Sequence, residues 1–276
     1  MEKIIDIGKY VESAVNWLTE NFGGFFDFIR MIGNGLIEGA ESVLMFTPFY
    51  VLIFLLALLA FFKVGKGMAV FTVIGLVFIY LLGFWVETME TLALIVTSTF
   101  VALVIAIPLG ILMSKSLLAE KIIRPILDFM QTMPAFVYLI PAVLFFSIGK
   151  LPGAFATIIF AMPPAVRLTS LGIKQVPSDV VEAARAFGAT GTQLLFKVEL
   201  PLALKTILTG VNQTIMMALS MVVIAGMIAA GGLGEKVLEG INNLNIGLGF
   251  ESGLSVVILA IILDRITQAF GKQEHE

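Results

Sequence analysis

The sequence has no cysteine, and its single histidine, His275, sits at the very end of the chain. Without cysteine there is no disulfide framework, no thiolate nucleophile and no cysteine metal site. One histidine in a solvated tail leaves no paired imidazoles for zinc and no obvious general base, so no catalytic or metal site is expected. Charge is scarce as well. Charged residues make up 13% of the 276 positions, about half the share typical of a soluble domain. The net charge of −3 is small and says nothing about nucleic acid; no basic block of the kind that tracks a phosphate backbone is present, so no nucleic-acid partner is expected. The phosphate loop G-x-x-x-x-G-K-[ST] is absent, which argues against ATP hydrolysis by this chain. Residues 1–20 carry Glu2, Lys3, Asp6, Lys9, Glu12 and Glu20 and lack a compact apolar core, so no cleavable signal peptide is expected.

What the chain has instead is apolar length. It is 59% hydrophobic, with a mean hydropathy of +1.03, and reads as an all-α, polytopic membrane helical bundle. Charge-free runs cover Leu44–Phe62, Gly67–Val86, Thr91–Ser114, Phe129–Gly149, Leu151–Val166 and Thr206–Gly234. A run of about 20 residues crosses a hydrocarbon core of about 30 Å. Leu151–Val166 is shorter and ends near Pro163-Pro164, with Arg167 placed to snorkel to the interface. Ser252–Phe270 is a seventh run, with Asp264 and Arg265 in its last third. The expectation is about seven spans. Residues 1–43 form no span. They read as amphipathic helices broken at Gly23-Gly24 and near Gly33 and Gly35, lying in the interface plane or packed on the protein's own spans. The organisation is then 1–43 as an N-terminal amphipathic segment, 44–87 as two spans, 88–270 as the main transmembrane domain and 271–276 as a tail.

One polar, basic stretch interrupts the apolar runs, Val180 to Pro201. It reads as two short amphipathic helices within a loop at 178–201. Ser178 or Asp179 caps the first, and Gly188 ends it in the left-handed conformation. Thr190 or Thr192 caps the second, and Pro201 breaks the chain before the next span. With this loop on the cytoplasmic side, inner segments hold twelve Lys and Arg residues and outer segments five, Lys3, Lys9, Arg30, Lys150 and Lys236. That bias places the N-terminus outside and the C-terminus inside.

Within the loop, Glu182-Ala183-Ala184 is followed after three residues by Gly188, and after nine more by Val198-Glu199-Leu200-Pro201. This resembles the E-A-A-x3-G-x9-I-x-L-P loop of ABC importer permeases, with Val198 in place of isoleucine. Further stretches narrow the resemblance to the permease subunits of glycine betaine/proline betaine importers. They are Gln131 to Tyr138, Phe160 to Arg167, Gly172 to Pro177 and Asn212 to Ala225. The likeness covers nearly the whole chain and is weakest over the first 45 residues.

The resemblance implies a type I ABC importer transmembrane domain working as two copies in the cytoplasmic (inner) membrane. Two separate ATPase subunits would carry ATP and magnesium, an external binding protein would deliver the cargo, and this chain would hold no cofactor and contact only these partners and membrane lipid. It assigns the ATPase-coupling loop to Glu182, Ala183, Ala184, Gly188, Leu200 and Pro201. Gly188 would supply the bend, the alanines a close approach, and Pro201 the start of the next span. Glu182 would either pair with a basic group on the ATPase or cap a neighbouring helix.

Two other functions stay open on the residues alone: a self-contained secondary transporter, and an ABC permease for choline, carnitine or proline. The near absence of ionisable groups at membrane depth argues against proton coupling. Tyr80, Trp85, Phe136, Tyr138 and Phe145 offer aromatic faces to a quaternary ammonium, but each reads more readily as packing. Met216, Met217, Met221 and Met227 beside Asn212, Gln213 and Ser220 read as core filling or as a flexible path lining. The glycine-rich segment from Gly231 to Gly249 reads as a flexible outer connector or a contact for the binding protein.

Overall fold

The computed structural model describes residues 7–271; the tail with His275 and Lys272, and the charges at Glu2, Lys3 and Asp6, lie outside the described residues. The described residues form helices with no strand. In chain order these are α1 (Ile7–Asn21), α2 (Gly23–Phe46), α3 (Phe49–Lys63), α4 (Lys66–Leu81), α5 (Trp85–Lys115), α6 (Leu117–Thr132) and α7 (Ala135–Phe146). Then follow α8 (Lys150–Lys174), α9 (Ser178–Ala186), α10 (Gly191–Leu194), α11 (Leu200–Ala225), α12 (Gly232–Asn242) and α13 (Ile246–Gly271).

The centre of the bundle is α8, held between α5 and α11. Small residues let the backbones close. A Cβ on Gly110 of α5 would stand 2.7 Å from the Val166 carbonyl of α8, and one on Gly210 of α11 would stand 3.2 Å from Cα of Ala165. In a bilayer, where lipid tails compete equally for apolar side chains, such close approach is a main source of helix association. Leu151–Val166 was expected to be a short span. In fact α8 continues through Pro163-Pro164 to Lys174, because both prolines are buried among neighbouring helices that support the interrupted ladder. Arg167 is not a terminus; it pairs with Asp128 at 2.6 Å.

The seven apolar runs do not become seven equal spans. Among the described residues, four helices are long and apolar enough to cross a membrane, and six spans result if each of two bent pairs counts as one. The bends, 101° between α2 and α3 and 102° between α6 and α7, fall at Thr47-Pro48 and Met133-Pro134. Proline disfavours helix in the residue before it, and both preceding residues are extended. The expected span Leu44–Phe62 therefore splits at Pro48. Likewise Phe129–Gly149 splits, leaving its first residues on amphipathic α6 and only 12 residues in α7. Helices α3 and α4, at 15 and 16 residues, form a hairpin about 22–24 Å long.

The N-terminal segment breaks after Asn21, beside Gly23-Gly24, but runs straight through Gly33 and Gly35. The reason is contact. A Cβ on Gly33 would meet Leu151 Cδ1 at 2.4 Å, Ile37 is buried, and Phe26 stacks on Phe145 at 4.6 Å. Of the two placements open for this segment, α2 takes the one packed on the protein's own helices α5, α7 and α8.

Candidate functional site

The loop between α8 and α11 is built as two short helices. Pro177 precedes α9, and neither Ser178 nor Asp179 caps it; the backbone carbonyl of Pro177 accepts from Val181 instead. Gly188 ends the helix at φ +82°, the left-handed conformation glycine adopts without a Cβ penalty. Thr190 opens α10 with a reciprocal capping box: its hydroxyl accepts from the Gln193 amide at 3.3 Å, and the Gln193 side chain accepts from the Thr190 amide at 2.9 Å. Pro201 does not break the chain. Residues Leu195–Glu199 form a π-helical turn that leads directly into α11, and this wider turn absorbs the hydrogen bond that proline cannot donate. The span expected from Thr206 therefore belongs to a continuous helix over Gly191–Ile228.

Most of the loop faces away from the protein. Glu182, Ala183 and Gly188 are exposed, Ala184 is half-buried, and Phe187 is 94% exposed. Glu182 caps no helix and forms no ion pair among the described residues. Leu200 is half-buried and Pro201 exposed at the start of α11. The loop is nonetheless anchored. Leu194 is buried, and the carboxylate of Glu199 is buried in an ion pair with Lys115, the last residue of α5. Sequence spacing treats position 199 as a free position inside V-x-L-P, so this anchor is missed there; a carboxylate inside an apolar motif is the one signal that points to it.

The same end of the bundle carries a second set of charges. Glu120 of α6 binds Arg124 and Lys174, each at 2.6 Å, and Asp128 binds Arg167. They line a cleft of about 420 Å³ between α6 and α8. The hydrogen bond from Lys174 holds the Glu120 carboxyl below the usual range. Lys63 lies over the ring of Phe270, 4.8 Å from its centroid, which brings the ends of α3 and α13 together.

At the opposite end, Lys150 at the start of α8 binds Glu41 of α2 at 2.7 Å and Glu90 of α5 at 3.0 Å. Glu90 also accepts from the amide of Gly232 at 2.9 Å, and the Thr91 hydroxyl accepts from the amide of Leu233 at 2.9 Å. These bonds fix the first turn of α12. On α12 itself, the Glu239 carboxylate beside Lys236 holds its ammonium above the usual lysine range. The segment from Gly231 is thus no flexible connector: it is helical, and Gly240 packs on Gly249 so closely that a Cβ would stand 2.5 Å from that amide nitrogen. Gly232 has φ +73°, and a Cβ there would stand 2.5 Å from Thr91 Oγ1. Gly232→Ala is expected to destabilise the protein by about 1–3 kcal/mol, read as a lower Tm of the detergent-solubilised chain.

The aromatic residues do not form a cage. Tyr80 and Trp85 pack with Phe49. Phe145 stacks on Phe26. Tyr138 is buried and donates to the Met130 carbonyl at 2.5 Å. Phe136 alone of the five is exposed and outside any ring pair among the described residues. The methionines divide: Met221 is fully buried, Met216 and Met217 are half-buried, and Met227 is exposed.

The fold is shared with a known transporter. The MetNI methionine ABC transporter in its inward-facing conformations has the same fold: one of its chains superposes with a TM-score of 0.61 at 23% identity, over 66% of this chain and 91% of that one. The glycine betaine transport system permease protein OpuAB of Bacillus subtilis is 51% identical, over 96% of this chain and 94% of its own. The glycine betaine/proline betaine permease ProW of Escherichia coli is 51% identical over 98% of this chain and 76% of its own. The glycine betaine/carnitine permease GbuB of Listeria monocytogenes is 50% identical over 98% and 96%. Residues 102–273 match the family described as binding-protein-dependent transport system inner membrane components. The chain is a multi-pass membrane protein and belongs to that family.

Proposed function

We propose that this chain is the permease subunit of an ATP-driven importer for glycine betaine or a closely related methylated zwitterion. The observation that carries the reading is identity of 50–51% along nearly the entire chain to three permeases whose names all include glycine betaine. Two copies would form the route, with two ATPase subunits at the end bearing α9 and α10 and a binding protein at the end bearing α12. The end with α9 and α10 is then cytoplasmic. ATP and magnesium reside on the ATPase, and this chain contributes no catalytic group. Glu182, Ala183, Ala184 and Gly188 form the surface that the ATPase grips, while Leu200 and Pro201 pass its movement into α11. The exposed Phe187 ring supports this assignment, because apolar surface in water gains by burial against a partner, and the hydrated, unpaired Glu182 carboxylate beside it is free to meet a cation there.

The test is uptake of labelled glycine betaine into proteoliposomes holding the chain, its ATPase and its binding protein. Uptake is expected only with ATP and both partners. Uptake by the chain alone would overturn the proposal in favour of a self-contained carrier.

A further inference from the structure

Between Lys205 and Ile228 the exposed residues of α11 and the short 3-10 turn that follows it are Lys205, Thr209, Gln213, Ser220 and Met227. Their spacing of four or seven residues puts them on one face. None is aliphatic. On α5, by contrast, the exposed residues from Val96 to Leu112 are Val96, Phe100, Val104, Ile105, Pro108 and Leu112, all apolar. That is the composition of a face turned to lipid.

The depth of the α11 face follows from its neighbour. A Cβ on Gly153 of α8 would stand 3.0 Å from Ala225 of α11, and one on Gly210 would stand 3.3 Å from the Pro164 carbonyl. The two helices therefore run antiparallel, and Gln213 and Ser220 lie level with α8 between Gly153 and Pro164, a stretch without charge. The hydroxyls of Thr209 and Ser220 are turned back to the carbonyls of Lys205 and Met216. The carboxamide of Gln213 has no hydrogen-bond partner among the described residues, whereas its neighbour Asn212 accepts from Thr267 of α13 at 2.6 Å. A carboxamide at this depth is costly in hydrocarbon, where nothing pairs with it.

We infer that the Thr209–Gln213–Ser220–Met227 face of α11 lines the water-filled route of the cargo. This rests on the permease reading. The face suits a small zwitterion: Gln213 donates to a carboxylate, and the thioethers of Met216, Met217 and Met227 adapt to methyl groups on a quaternary nitrogen. The buried Met221 stays a core residue.

The absence of cysteine makes the test clean. Single Gln213→Cys, Ser220→Cys, Phe100→Cys and Val104→Cys variants are reconstituted with both partners and treated with a charged, membrane-impermeant methanethiosulfonate, and modification of this chain is followed by mass. Ser220→Cys is close to isosteric, which guards against a folding defect. The thiolate is the reactive form and is suppressed in lipid, so Gln213→Cys and Ser220→Cys are expected to react about tenfold faster or more than the two α5 controls. In a separate variant, Gln213→Leu is expected to raise the betaine concentration for half-maximal uptake several-fold, with modification of Ser220→Cys in that background unchanged. Rates equal to the α5 controls would overturn the inference. So would oxidant-induced disulfides between two copies through Ser220→Cys without modification by the reagent, since the face would then be a dry seam. Betaine dependence unchanged in Gln213→Leu would remove the cargo contact. Failure of wild-type uptake would count against the permease reading alone, because the labelling pattern does not require transport.

Discussion

Gly188→Val is expected to reduce ATP-driven betaine uptake at least tenfold while ATP hydrolysis by the assembled complex continues. Gly188 holds φ +82°, and a Cβ there would meet nothing within 4 Å inside this chain. Loss of space is therefore not the mechanism. A β-branched residue in the left-handed region is strained by about 1–2 kcal/mol or more, so the loop relaxes to another conformation. The turn between α9 and α10 then points elsewhere, and movement of the ATPase no longer reaches α11. Asparagine tolerates the left-handed region far better than valine, so Gly188→Asn should retain much of the uptake. The measurement is the ratio of betaine transported to ATP hydrolysed in proteoliposomes. A normal ratio in Gly188→Val would remove the loop from the coupling path. Equal losses in the valine and asparagine variants would show that contact with the partner, and not backbone geometry, is what matters.

The second large effect is expected at the anchor of the same loop. Lys115→Met leaves the Glu199 carboxylate, 7% exposed, without its cation. An unpaired buried carboxylate costs about 3 kcal/mol. Because Lys115 itself is partly exposed, the expected loss is about 2–3 kcal/mol, or a Tm lower by roughly 5–10 °C. The double variant Lys115→Met with Glu199→Gln removes both charges and should recover most of the lost stability. If its uptake stays low while its Tm recovers, the ion pair is transmitting movement between α5 and α11 as well as holding the fold. A Tm unchanged in Lys115→Met would show that Glu199 is stabilised by other groups.

These two positions show how unevenly the site is legible in the sequence. Gly188 is readable because a glycine after an amphipathic run, followed by a capping threonine at 190 or 192, is a local stop-and-start signal whose physics involves only neighbouring residues. Glu199 is not readable, since its partner lies 84 residues earlier at the end of another helix. Proline shows the same division. Pro48 and Pro134 bend the chain as local rules require, each after an extended residue. Pro163, Pro164 and Pro201 do not, because buried surroundings or a π turn accommodate the missing donor. The same residue type thus has opposite outcomes, decided by what surrounds it. Glycine repeats the lesson: Gly231 to Gly249 reads as a loose connector or a binding-protein contact, yet Gly240 is glycine because the Gly249 backbone lies against it, and Gly232 because its φ is +73° and the Thr91 hydroxyl leaves no room for a Cβ.

The sequence by itself determined that this is an all-helical membrane protein without cysteine chemistry, with one amphipathic loop of two short helices set between apolar runs. Those properties follow from composition, period and local capping, which need no distant partner. Tertiary structure decided which apolar runs stay whole, that α2 packs onto the bundle, that Glu199 and Lys150 sit in opposite charge clusters, and which face of α11 remains uncovered. Each of these depends on close approach between segments far apart in the chain. In a bilayer that approach is set by small residues and paired polar groups, because apolar character alone does not distinguish a neighbouring helix from lipid.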